Sequence, residues 1–573
     1  MAKQYTNCSH TLNDGILSIN APLISRNFTD IATAEGRYVT PQSRALPYYE
    51  VAATRANKSR VTYRVWENLP VVRIGDDSEE VLLTLEGEHW TIRAVRLNAF
   101  TDDFDTLTEE IEFNLFFKGI RKQVEGDIFI FEDTLTDRAF LLISETPDHA
   151  RGRVWADRNE EKTAHRVFLK NGGYPVTVGI CRRGEGEALC RDYLRHVNHC
   201  PELITMSNTW GDYHGSKRVC ESFVLDELTS AAEMGIDVLQ IDDGWQAGNT
   251  IYEIHRDERG HQVFYDHYWD LNDQRFPNGI APITAKAAQQ GLRVGLWFAP
   301  SSQDCYAKIE RDKTVLRELY QNWGVRFFKL DMYQVTDTAH ASKMKELLDF
   351  IYSLGNDVSV QMDVTRYERF NYLCGAEYGT VFVENRYTRT ANYFPHRALR
   401  NLWDISRYVP SNRFQFELVN PDLNTDSYHE NDPLAPQFYS MDYLFATVML
   451  SNPLFWMELQ YLGEERRRQL APIMKVWKEH REQLSNADVS PIGEKPCGRS
   501  HTGFLVSQNG VPTYLLLFRE VTDREMGKFD LPVEEMQAEL LCSNGNVTLS
   551  VEGNTLTAAY AEPRTYAFIK LTK

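Results

Sequence analysis

Long apolar runs are missing from this chain, and so are most of the short signatures that settle a chemistry on their own. The N-terminus, MAKQYTNCSHTLNDGILSIN, has no apolar core, so no intact secretory leader is expected there. The most apolar stretch, Leu444 to Trp456, is broken by Ser451-Asn452-Pro453 and suits a buried segment better than a membrane helix. A cytoplasmic protein without a membrane partner is the resulting expectation. Cysteine is scarce: nine in 573 residues, an odd number with no CxxC pair. That argues against a disulfide framework or a zinc site. Neither HxH, HExxH nor EF-hand spacing occurs, so no metal is expected, and without a GxGxxG or P-loop pattern no phosphate-bearing cofactor is expected either. Positive charge is in deficit, with 62 Lys and Arg against 81 Asp and Glu, a net charge of −19. Such a surface repels phosphate backbones and anionic lipid, which excludes nucleic acid as a partner.

What is present is enough chain for several cores. At 573 residues a single hydrophobic core is excluded and two to four domains are expected. Aromatic content is 12%, on the high side, and flat rings suit packing on the C–H faces of a pyranose. The first third carries short alternating or apolar runs between turn residues, the pattern of a β-sandwich. Near residue 200 strand-like and helix-like stretches begin to alternate. Strand candidates are 203–210, 237–245, 293–300, 326–333, 358–365, 380–387, 413–419 and 453–459. Between them Met344, Leu347, Leu348, Ile351 and Leu354 share one helical face, with Gly355 as a stop. About eight β/α units in this span match a (β/α)8 TIM barrel. The tail returns to strands, with Asn544-Gly545 as a hairpin turn. The fold class read from this is multidomain: an N-terminal β-sandwich (1–198), a central (β/α)8 barrel (199–485) and a small C-terminal antiparallel β domain (486–573).

Active residues of such a barrel lie at the C-terminal ends of its strands. Strand one ends in Trp210, strand two in Asp242, Asp243 and Trp245, and strand three in Trp297. Strand four carries Lys329 and Asp331, strand five Asp363 with Arg366 beyond, and strand six Glu384. Two carboxyl groups flanking a glycosidic bond can protonate the leaving oxygen and attack the anomeric carbon, so a small carbohydrate is the expected partner. Clustered acids also bind cations, but the ligand spacings for that are absent.

These strand ends, in this order, resemble the clan of α-galactosidases and α-N-acetylgalactosaminidases, nearest to glycoside hydrolase family 36. The motifs are Val238-Leu239-Gln240-Ile241-Asp242-Asp243-Gly244-Trp245, Gly295-Leu296-Trp297-Phe298-Ala299-Pro300 and Phe327-Phe328-Lys329-Leu330-Asp331-Met332. The resemblance implies the nucleophile at Asp331 and a hydroxyl-binding lysine at Lys329, both on one face of the strand as i and i+2. It implies Asp242 and Asp243 as the pair that binds O4 and O6, one of them on the turn after the strand. Trp297 would be an aromatic wall. Two stretches depart from the family pattern. Gln361-Met362-Asp363-Val364-Thr365-Arg366 replaces a Cys and a glycine-rich turn at the region facing the 2-substituent. Glu384 stands where an Asp acid/base is usual. The expected reaction is double displacement with retention, which needs the two carboxyls about 5–5.5 Å apart. Alternatives on the same residues are an α-N-acetylgalactosaminidase, a β-L-arabinopyranosidase, a raffinose-synthase-like transglycosidase and a non-catalytic carbohydrate-binding homologue. A homo-oligomer is left open, since no interface can be named from sequence.

Overall fold

The computed structural model describes residues 9–13, 16–20, 49–54, 63–66, 69–75, 80–86, 89–99, 106–115, 123–158, 164–198, 203–211, 214–248, 250, 258, 264–366, 368–383 and 385–573. The chain divides into two compact units, one built mainly from residues up to 197 together with 370–376, the other from 198 onward.

The first unit holds two seven-stranded antiparallel sheets. Trp90–Leu97 shows how its core forms: Trp90, Ile92 and Ala94 alternate inward while Thr91 and Arg93 face outward. These residues share one core with Phe129 and Phe131 of the same sheet and with Leu83, Leu85, Val154 and Val167 of the other sheet. The expected sandwich is therefore present. A buried acid there finds its partners: Glu145 accepts from Arg73, from Thr177 Oγ1 at 2.9 Å and from Tyr193 Oη.

In the second unit eight parallel strands close a barrel. In chain order they are Met206–Asn208, Val238–Ile241, Arg293–Phe298, Phe327–Leu330, Ser359–Asp363, Thr380–Phe382, Phe414–Leu418 and Asn452–Phe455. Strand one pairs with strand eight through Met206 and Leu454, which completes the ring. The strands read as continuous apolar runs because both faces are covered, one by the barrel interior and one by helices. The helix Thr338–Ser353 starts where Asp337 accepts the His340 backbone N–H, and its Met344, Leu347, Leu348 and Ile351 are buried. None of the helices of the described residues is long and apolar enough to cross a membrane.

The tail forms a five-stranded and a three-stranded antiparallel sheet over a common core that includes Leu515, Phe529, Leu556 and Ile569. One expectation fails here. Asn544-Gly545 does not close a hairpin: Gln537–Ser543 pairs with Thr565–Thr572, whereas Val547–Glu552 pairs with Thr555–Tyr560 in the other sheet. The Asn544 side chain explains the corner. Its Oδ1 accepts the Tyr566 N–H and its Nδ2 donates to the Arg564 carbonyl, so it is tied to the return strand and not to a two-residue turn.

Candidate active site

The C-terminal ends of strands two to five bring their side chains to one place. Strand four ends at Leu330, and Asp331 follows it. Met332 then takes a left-handed φ of 56°, a conformation uncommon for a residue with a side chain and one that marks local strain. That reversal turns the Met332 N–H back onto Asp331 Oδ1 at 2.6 Å. Trp297, from strand three, donates its indole N–H to Asp331 Oδ2 at 3.0 Å. Arg369, from the loop after strand five, places Nη1 2.8 Å from Oδ1. Both carboxylate oxygens are thus held, and the side chain keeps 13% exposure.

Burial pushes the Asp331 carboxyl up, but Arg369, Lys329 and the Trp297 and Met332 N–H groups together outweigh it and hold its pKa below the usual carboxylate value. Lys329 lies two residues earlier on the same face. Its Nζ donates to Asp242 Oδ2 at 2.9 Å and stands 3.9 Å from Asp363 Oδ2. The rings of Trp456 and Phe382 lie 5.3 and 5.6 Å from that ammonium. Burial alone would favour neutral lysine; Asp242, Asp363 and Asp331 reverse this and raise its pKa.

Strand two ends at Ile241, so Asp242 and Asp243 both belong to the turn. Asp242 Oδ2 also accepts from Asn208 at 2.7 Å, Asp242 Oδ1 accepts the Asp243 N–H at 2.9 Å, and Asp243 Oδ1 takes Gln246 Nε2. Gly244 follows with φ 121°, and an added Cβ there would stand 2.7 Å from Arg275 Nη1. That guanidinium donates to the Ser216 and Gly244 carbonyls and staples the turn.

Asp363 closes strand five. Its Oδ1 accepts from Arg369 Nη1 at 2.6 Å and from Thr365 Oγ1 at 2.7 Å. Burial and the neighbouring Asp331 charge raise its pKa, and Arg369, Lys329 and Thr365 offset this only in part. Asp331 and Asp363, sharing one guanidinium nitrogen, are therefore pushed in opposite directions.

Other residues singled out in the sequence stand differently. Trp245 and Trp297 have no exposed surface. Trp245 donates its indole N–H to the Trp297 carbonyl at 2.9 Å and packs on Trp269, so its ring supports Trp297 and does not reach the carboxylates. Trp297, expected as a sugar wall, is a hydrogen-bond donor to Asp331. Trp210 is half-buried and donates to Tyr387 Oη at 3.0 Å, which in turn donates to Asn385 Oδ1 at 2.7 Å. Arg366 is exposed; the guanidinium at the site is that of Arg369, which sequence reading passed over. Its only signal was a second arginine three residues on, in a loop without periodicity. Glu384 lies outside the described residues. Among the described residues there is no cluster of three or more His, Cys, Asp or Glu side chains fit to hold a metal.

Residues 205–345 match the Melibiase family model. An α-galactosidase of Escherichia coli is 23% identical over 248 residues, 36% of this chain and 32% of that protein, so the match spans about a third of the curated relative. A variant of the family-36 α-galactosidase AgaA of Geobacillus stearothermophilus, solved with 1-deoxygalactonojirimycin, superposes with a TM-score of 0.63 at 12% identity, covering 97% of this chain and 83% of that one. Another AgaA variant, solved with raffinose, gives 0.62 at 11% identity over 100% of this chain and 86% of that one. The chain has the fold of the family-36 α-galactosidases, and its barrel carries the Melibiase sequence match.

Proposed function

We propose that the chain is a retaining, exo-acting glycoside hydrolase that releases a terminal α-linked galacto-configured sugar. The observation that carries this is Asp331: an ionised carboxylate at the end of a barrel strand, gripped by Trp297, Met332 and Arg369, with Lys329 beside it. A carboxylate so held stays anionic and oriented, as a nucleophile toward an anomeric carbon must. The Lys329–Asp242 pair supplies both a donor and an acceptor for ring hydroxyls. The likeness to the galactosidases supports the sugar configuration.

In the first step Asp331 attacks C1 and a second carboxyl protonates the leaving oxygen; in the second step that carboxyl takes a proton from water as the water displaces Asp331. Glu384 fills the second role by its place after strand six. Asp363 is a second reading, favoured by its raised pKa and by sharing Nη1 of Arg369 with Asp331.

The test is hydrolysis of 4-nitrophenyl α-D-galactopyranoside, with product stereochemistry followed by NMR. Asp331→Asn is expected to remove turnover while the circular dichroism and melting temperature are kept, and the native chain to release the α-anomer first. An Asp331→Asn chain with native turnover would end the proposal. In the same assay the acid/base is whichever of Glu384→Gln and Asp363→Asn retains activity only on substrates with good leaving groups.

A further inference from the structure

Three consecutive residues after strand three, Asp304, Cys305 and Tyr306, hold left-handed φ values of 49°, 53° and 61°. Glycine adopts that region freely, and asparagine or aspartate singly. Any other side chain is pressed against its own backbone there, and L-residues rarely take it in a row. The run forms one turn of left-handed helix, with the Tyr306 N–H on the Ser302 carbonyl at 3.4 Å and the Ala307 N–H on the Gln303 carbonyl at 3.2 Å. Such a conformation persists only where the surrounding structure over-determines it, so its use lies in what it places.

What it places is Tyr306. The residue is 1% exposed, and its ring lies across that of His340 with centroids 6.0 Å apart. Its hydroxyl donates to the Gln334 carbonyl at 2.8 Å. Burial pushes the phenol pKa far above its ordinary value, so the group keeps its proton and remains a donor. Gln334 follows Asp331 in the segment whose left-handed Met332 turns its N–H onto Asp331 Oδ1. That segment is fastened at both ends. At its start the Asp331 N–H donates to the Phe298 carbonyl of strand three at 3.0 Å. At its end the Gln334 carbonyl takes the Tyr306 hydroxyl, and the Val335 N–H donates at 2.7 Å to the carbonyl of Glu368, the neighbour of Arg369. A reversal through a residue with a side chain relaxes unless its flanks are fixed. Strand three thus serves the carboxylate twice, directly through Trp297 and at one remove through Tyr306.

Resting on the reading of Asp331 as nucleophile, we infer that Tyr306 is a positioning residue for that carboxylate: the left-handed turn seats its hydroxyl on the Gln334 carbonyl, and this tie keeps the Met332 N–H aimed at Oδ1.

The experiment compares the native chain with Tyr306→Phe, which removes the hydroxyl and keeps the buried ring, and with Cys305→Gly, which keeps the hydroxyl and frees the turn. Three quantities are read: kcat and KM for 4-nitrophenyl α-D-galactopyranoside across pH, thermal unfolding, and amide hydrogen exchange of the 331–335 segment by mass spectrometry. In Tyr306→Phe kcat is expected to fall about tenfold, the worth of one hydrogen bond, with KM little changed. The acid limb of kcat/KM should move to higher pH, because a slackened Met332 N–H lets the Asp331 pKa rise. The Met332 and Val335 amides should exchange faster while the barrel strands keep their native protection. Cys305→Gly is expected to keep native kinetics and exchange and to melt at a higher temperature. Native kcat, acid limb and exchange in Tyr306→Phe overturn the assignment. So does faster exchange throughout the barrel with the acid limb unmoved, since the hydroxyl would then only stabilise the fold. A Cys305→Gly chain no more stable than the native one would show that the turn carries no strain, and would overturn its part in seating Tyr306. If the native chain hydrolyses nothing, yet exchange of the 331–335 segment alone quickens in Tyr306→Phe, the hydrolase reading falls and the tie stands. If hydrolysis depends on Asp331 while Tyr306→Phe is native in all three readouts, the tie falls and the hydrolase reading stands.

Discussion

Asp331 owes its charge state to groups that reach it from three segments. Among the described residues the Trp297 indole N–H is the one donor on Oδ2, while Oδ1 is shared by Met332 and Arg369. Removing a donor to an ionised carboxylate raises its pKa. Trp297→Phe is therefore expected to move the acid limb of the kcat/KM profile toward higher pH. The accompanying fall in kcat/KM should be about 10- to 100-fold, the worth of one hydrogen bond to a charged group. An unshifted acid limb, with the ring replaced and the protein folded, would show that the indole does not tune Asp331. At this scale the sequence was readable for Lys329 and Asp331, because strand alternation places i and i+2 together. It was not readable for Arg369 or for the two tryptophans. Whether an indole faces a sugar or a carboxylate depends on what the neighbouring strand brings opposite it.

Among elements, the turn after strand two carries the most constraint. Gly244 sits at φ 121° against Arg275 and Ser216, and Arg275 bridges the Gly244 and Ser216 carbonyls. Gly244→Ala brings both backbone strain and a clash with that guanidinium. It should lower the unfolding free energy by about 2–4 kcal/mol, measured by urea denaturation. A change under about 0.5 kcal/mol would mean that the turn relaxes freely. Gly355, read as a helix stop, has a different reason to be glycine. The helix ends at Ser353, Gly355 does not adopt a left-handed φ, and the Tyr320 hydroxyl occupies the place a Cβ would take. Periodicity located the helix, and a contact from the preceding helix chose the residue after it. The Asn544-Gly545 corner makes the same point, since its side-chain partners Arg564 and Tyr566 come from a strand about twenty residues on.

For the molecule as a whole, each compact unit has, among its described residues, a buried carboxyl that burial pushes up to about 6: Asp127 in the first and Asp312 in the second. Asp312 accepts the Ser301 N–H at 2.9 Å and Arg311 Nη2 at 3.0 Å, which offset its burial only in part. Its pKa is higher folded than unfolded, so its stabilising effect is full below about pH 4 and is lost as pH rises through about 6. Asn at this position cannot ionise. The stability advantage of the native chain over Asp312→Asn should therefore shrink by about 3 kcal/mol between pH 4 and pH 7, read by calorimetry. A gap independent of pH would refute this. The eight strands and the rim on which the acids gather were determined by the order of apolar runs and the polar residue closing each. Those are local properties, written into consecutive residues. What the acids do was decided only by folding. Lys329 meets Asp242 across 87 positions and Trp297 meets Asp331 across 34, and Coulomb and hydrogen-bond energies depend on separation in space, which no local pattern encodes.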